Sequence, residues 1–241
     1  MATGGAVVHV NSGVAGLVCA LFLGPRRGWG RDNLAPHNLA MTMIGASLLW
    51  VGWIGFNAGS ALAADGLAAT ALINTLIASA TGVFGWMLFE WIERKKPTLL
   101  GMLTGAVAGL VAITPAAGFV DPRGGFLIGL IGGAVCYGTA VWLKRRLKYD
   151  DSLDAFGVHG AGGLAGAILT GVFATGAVNP VAAQAAVWPQ VWGTLVVVAW
   201  SALLTLAILW VLKLTVGLRV EKDEEMEGLD LAVHGEALHD S

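Results

Sequence analysis

Residues 190–217 read QVWGTLVVVAWSALLTLAILWVLKLTVG, with Lys213 as the only charge. The run exceeds the roughly 20 apolar residues that a helix needs to cross the hydrocarbon of a bilayer. Working back toward the N-terminus, six more runs of this kind stand at about 2–24, 39–62, 67–92, 98–119, 124–143 and 154–177, and a charged segment, 218–241, closes the chain. Lipid gives backbone N–H and C=O groups no partner, so only helices or closed barrels cross it; barrel strands are short and alternate in polarity, whereas these runs are long and continuous. The expected fold is all-α: a polytopic membrane protein of about seven transmembrane helices over 1–217, with a cytoplasmic tail over 218–241.

Composition agrees. The chain has 241 residues, 56% hydrophobic and 12% charged, against about 25% charged in soluble domains. Glycine reaches 35, and in lipid small residues let helix backbones approach closely. A net charge of −2 gives nucleic acid no basic surface, so the bilayer is the expected surrounding partner. Cys19 and Cys136 fall inside apolar runs without metal or redox spacing and read as inert buried thiols. Met1 leads directly into apolar sequence with no basic n-region or cleavage site, so the chain is read as beginning inside a span rather than with a signal peptide.

Basic residues fall in alternate connections: Arg26, Arg27 and Arg31 after the first run, Arg94, Lys95 and Lys96 after the third, Lys144, Arg145, Arg146 and Lys148 after the fifth, and Lys213, Arg219 and Lys222 around the end of the seventh. The positive-inside rule places those ends in the cytoplasm, the N-terminus outside and the tail inside. Trp29, Trp91, Trp142, Trp188 and Trp192 sit near run ends, where amphipathic rings settle at headgroup level.

The pattern Val-His-x-x-x-Gly-x-Ala-Gly occurs twice, from Val8-His9 to Gly16 and from Val158-His159 to Gly166. The two runs cross in opposite directions, which makes an inverted repeat of the kind that frames mid-membrane substrate paths in transporters. Glycines four and seven residues after each histidine lie on its helical face, so the two helices are expected to pack there. An ionisable side chain within a span costs about 2.5 kcal/mol or more when charged and marks a pathway or proton relay by default. Neutral imidazoles donate and accept together, so His9 and His159 are candidates for a shared-proton pair, with simple helix-to-helix hydrogen bonding as the alternative. No Cys or carboxylate accompanies them at zinc spacing, and neither a metal nor another cofactor is expected. His37, His234 and His239 lie in polar segments and read as solvated or capping.

The second run ends in Trp53, Phe56, Asn57 and Ser60, a mouth that could hold a small cation through aromatic faces and a hydroxyl, or else an interfacial aromatic belt. Asp151 and Asp154 precede the sixth run, where carboxylates cap free amides and complement the positive helix end. Glu90 and Glu93 are expected to be solvated beside Arg94. The acidic tail reads as solvated, in a place where a regulator can reach it.

Val-Val-His-Val-Asn at 7–11, Gly-Trp-Ile-Gly-Phe-Asn-Ala-Gly-Ser at 52–60, Phe-Gly-Val-His-Gly at 156–160 and Gly-Leu-Arg-Val at 217–220 together resemble the ammonium transporter family of bacterial, plant and Rhesus proteins, over almost the whole chain. The resemblance implies a channel, not an enzyme, for ammonium or ammonia in the cell membrane. It implies a hydrophobic pore lined by His9 and His159, Phe56 as one of two outer gating phenylalanines and Ser60 as the serine of an outer recruitment site; the other phenylalanine and the recruitment-site tryptophan would lie in spans before this chain, while Trp53 is grouped with the gate and Asn57 is read as structural support. It further implies a homotrimer with one pore per subunit and a PII-class regulator at the cytoplasmic face. Family members have about eleven spans, and the chain resembles the part from the fifth onward; Met1 then stands where an acidic residue precedes the first histidine motif. A pore walled on one side only is expected not to conduct alone. Two other classes compete with this reading. An ammonium sensor would carry a cytoplasmic output domain, and a haem-binding redox subunit would carry further intramembrane histidines.

Overall fold

The computed structural model describes residues 3–236. Met1 and His239, both singled out in the sequence, lie outside the described residues. Seven apolar helices occur where the seven runs were expected: α1 (Val7–Leu23), α2 (Leu39–Gly59), α3 (Gly66–Arg94), α4 (Leu99–Ile113), α5 (Pro122–Leu147), α6 (Ala155–Phe173) and α7 (Val187–Thr215). Five are long and apolar enough to cross a membrane by length and composition, while α1 and α4 are shorter. A one-turn-and-a-half helix, α8 (Lys222–Glu227), lies in the tail.

Side chains in the connections set the helix starts. Asn38, Asp65, Thr98 and Asp121 accept hydrogen bonds from the first-turn amides of α2, α3, α4 and α5, groups that would otherwise lack partners. The expected fourth run continued to 119, whereas α4 ends at Ile113. Pro115 has no N–H for the ladder and its ring crowds the preceding turn, so the chain turns there through short backbone bonds such as Ala116 N–H to Ile113 O.

The densest packing joins α3, α4 and α5. Gly82 meets Gly109, Gly85 meets the Leu130 carbonyl, and Gly133 meets Gly82, each so closely that an added Cβ would collide with backbone. Such seams let van der Waals contact hold helices where lipid removes the hydrophobic drive. Leu110, Val111, Ile113, Ile128, Cys136 and Tyr137 fill the interior. Helices α2 and α7 turn most of their side chains outward, which suits faces whose solvent is lipid.

Helices α1 and α6 run antiparallel and touch at the repeated glycines. Gly13 lies against the Gly160 backbone, Gly16 against Ala155, and Gly163 against His9 and Val10. Gly166 packs instead on the Ala112 backbone of α4. The second repeat therefore contacts two helices with the glycines that its first copy spends on one.

The basic connections meet at one end of the bundle. Arg26 grips Asp150 through two side-chain bonds of 2.8 and 2.9 Å, Arg145 pairs with Glu93, and Arg219 reaches the Leu23 and Pro25 carbonyls. Glu90 departs from the solvated position expected of it. It is 3% exposed and accepts from the Thr98 backbone N–H and hydroxyl, because the tight turn after α3 folds the start of α4 over it.

Gly13→Ala places a methyl group into the Gly160 backbone and should destabilise the α1–α6 crossing by about 1–3 kcal/mol. Gly193→Ala, which meets open space, should leave the thermal unfolding midpoint in detergent unchanged. Equal midpoints for the two variants would contradict the crossing.

Candidate functional site

Each repeat histidine sits in a π-helical turn, His9 in Ala6–Val10 and His159 in Ala155–Gly160. Such turns leave carbonyls off the regular ladder, and in a membrane these must find other donors. Side chains add donors in and beside these turns. Ser12 donates to His9 O and Ser201 of α7 to Asn11 O, while Thr139 donates to Gly157 O and the Cys136 thiol to Val158 O.

The glycine crossing then brings the imidazoles together, with Nδ1 of His9 3.1 Å from Nδ1 of His159. Nε2 of His9 lies 3.2 Å from the Thr114 hydroxyl. The Trp53 indole N–H donates to that same hydroxyl at 2.8 Å. The Trp53 ring stacks on His9, with centroids 5.1 Å apart and planes 13° apart, and lies 6.5 Å from His159. Phe56 stands edge-on to Trp53 at 6.3 Å. His9 is 4% exposed and His159 half-buried. Among the described residues no group of His, Cys, Asp and Glu is arranged to hold a metal.

The sequence groups Trp53 with Phe56 and Ser60 at an outer mouth. Its backbone lies about two turns from that of Ser60 along α2, at about 1.5 Å per residue, and its ring packs on His9 as well as on Phe56. Ser60 is exposed and donates to the Phe56 carbonyl at 2.7 Å, which leaves its oxygen free to accept. A cavity of about 260 Å³ lined by Phe56, Asn57, Ser60, Thr114 and Pro115 links that serine to the histidine-holding hydroxyl. Asn57 donates to Thr75 and so ties α2 to α3. On the other side of the α2 aromatics, an apolar trough of about 570 Å³ lies open along Val8, His9, Leu48, Gly52 and Trp53.

At the basic end, Asp151 accepts from the Ala155 and Phe156 amides at 3.0 and 2.8 Å, anchoring the first turn of the His159 helix. Asp154 adopts a left-handed conformation, φ 54°, and pairs with Lys144 at the end of α5. The neighbouring Asp150 links this turn to α1 through Arg26, and Glu225 of α8 accepts from Arg219 and from the Arg27 amide. No pattern in the sequence singles out Thr114 or Ser201. The only signal for Thr114 is a hydroxyl directly before Pro115 in an apolar run.

The family model for the Ammonium Transporter Family matches residues 2–238. The chain belongs to that family. It is 50% identical over 240 residues to the ammonium transporter of Bacillus subtilis, covering 97% of this chain and 59% of that one. It is 44% identical over 241 residues to an ammonium transporter of Archaeoglobus fulgidus, covering 98% and 61%. Among solved structures, Mep2 of Saccharomyces cerevisiae superposes with a TM-score of 0.83 at 37% identity over 92% of this chain and 54% of that one. A protein described as a Sensor Amt Protein superposes at 0.87 with 31% identity over 96% and 59%. The chain spans between half and about three fifths of the length of these ammonium transporter relatives. With the apolar helices, family membership makes it a multi-pass membrane protein.

Burial pushes the Asp150 carboxyl up, but the hydrogen bonds and charge of Arg26 outweigh burial and hold it below the ordinary carboxylate range. A carboxyl depressed in the folded state stabilises above its unfolded value and loses that contribution as pH falls through the folded one. Carbon-13 titration of Asp150 should therefore show a midpoint below about 3.9, the ordinary value, and Arg26→Gln should return it upward. A midpoint at or above the ordinary value would contradict the clasp.

Proposed function

We propose that this chain forms a wall of a conduit for ammonium or ammonia, in which His9 and His159 line a narrow apolar passage and relay protons. The observation that carries the reading is the direct contact of two imidazoles from oppositely directed helices, walled by aromatic rings. Deep imidazoles in lipid are costly enough to mark a path, and their neutral form suits an apolar passage.

Phe56 serves in this reading as the outer gate, and Ser60 accepts an N–H from the incoming cation, helped by the face of an aromatic ring at about 0.5–2 kcal/mol depending on desolvation. Trp53 walls the passage beside the histidines. Asn57, Asp151 and Asp154 hold the helices that carry these groups. The N-terminus faces outward and the tail the cytoplasm of a cell membrane, the subunits assemble as a homotrimer, and the cytoplasmic face receives a PII-type regulator. Because the apolar trough lies open along the α2 aromatics and His9, the chain by itself is expected not to conduct.

The test is tracer uptake of methylammonium by cells lacking their own ammonium uptake and expressing the gene in full. Replacing His9 and His159 together by Ala should lower uptake about tenfold or more, a barrier of at least about 1.4 kcal/mol. Unchanged uptake would overturn the relay. Ammonium binding without flux would favour the sensor reading instead.

A further inference from the structure

The Thr114 hydroxyl has three polar neighbours: the Leu110 carbonyl at 2.8 Å, the Trp53 indole nitrogen at 2.8 Å and Nε2 of His9 at 3.2 Å. A hydroxyl has one hydrogen to donate and two lone pairs. The carbonyl can only accept, and its contact is the ordinary bond of a helical threonine to the carbonyl four residues back. It takes the hydrogen. The indole can only donate, and it fills one lone pair. The remaining lone pair requires a hydrogen on Nε2 of His9.

The consequence travels through the pair. A neutral imidazole carries one ring hydrogen, and an uncompensated charge on a ring this deep in lipid is costly. His9 therefore has a bare Nδ1. The 3.1 Å contact between the two Nδ1 atoms needs one hydrogen, which His159 must supply from its own Nδ1. That leaves Nε2 of His159 bare, and among the described residues it has no protein partner. We propose that Thr114 is a positioning residue that sets the tautomers of both histidines, so that the pair offers the passage a single acceptor, Nε2 of His159.

The two histidines are then unequal despite the repeat. His9 spends both nitrogens on Thr114 and His159, which leaves Nε2 of His159 as the one bare ring nitrogen of the pair. A bare ring nitrogen accepts from small N–H donors and offers nothing to a species that brings only lone pairs. This deepens the ammonium reading and rests on it for the identity of the donor. The tautomers themselves follow from the hydrogen-bond geometry alone. Without the Thr114 hydroxyl, His9 can carry its hydrogen on either nitrogen, and the pair can reverse to present an N–H at His159.

Ring-nitrogen-15 solid-state NMR of the chain in lipid bilayers tests this, with His37, His234 and His239 replaced by Gln so that only the pair reports. The unsubstituted pair should give one set of signals. The ring with hydrogen on Nε2 should be identified as His9 by its proximity to the Trp53 indole hydrogen, and the other ring should carry hydrogen on Nδ1. Thr114→Val should add a second, reversed set of comparable intensity, and Thr114→Ser should restore the single set. Trp53→Phe, which removes a donor and leaves the carbonyl bond in place, should keep the single set. Hydrogen on Nδ1 of His9 in the unsubstituted pair overturns the proposal without recourse to any variant, as does a Thr114→Val spectrum unchanged while the rings remain in contact. Added ammonium should shift only the Nε2 signal of His159. If the tautomer pattern holds and no signal moves, the ammonium reading fails and the role of Thr114 stands.

Discussion

The approach of α1 to α6 through Gly13 and Gly160 is the constraint on which the site depends. Two helices in lipid gain little from hiding apolar surface from each other, so they come this close only where no side chain intervenes and dispersion can act over short distances. At that separation, rings on adjoining turns reach hydrogen-bond distance. A single methyl group at Gly13 would meet backbone rather than a movable side chain, which leaves little room for compensation.

The close crossing brings a second demand. Both histidines sit in π-helical turns, and a wider turn inside lipid favours extra donors for its carbonyls. The fold meets the demand with hydroxyls and a thiol from neighbouring helices. Thr139 and Cys136 of α5 tend the turn around His159, and Ser201 of α7 reaches the turn that follows His9. The helices behind the pair are thus part of its geometry. The ion pairs at the basic end extend this scaffold, since Asp150 and Asp151 are adjacent in sequence and bind α1 and the α6 start respectively.

Much of this was legible in the chain itself. The seven runs, their connections and the paired histidine motif follow from hydropathy and self-similarity, both of which are local. The burial of Glu90 is hidden from the sequence because it depends on how the turn after α3 folds back, and a carboxylate beside basic residues looks solvated in sequence. The stacking of Trp53 on His9 is not legible in the sequence, because membership of a motif says nothing about which ring a side chain meets. Thr114 is not legible in the sequence because one hydroxyl before a proline carries no pattern.

By itself the sequence determined the solvent, the helical class, the alternation of basic ends and which two side chains were worth watching, because lipid imposes its rules on composition and period. Only the tertiary structure decided the π turns, the 3.1 Å contact, the stacking of Trp53 and the meeting of three polar groups on Thr114. These arise between residues as much as 150 positions apart, where the geometry of close-packed helices, and no local preference, sets which atoms meet.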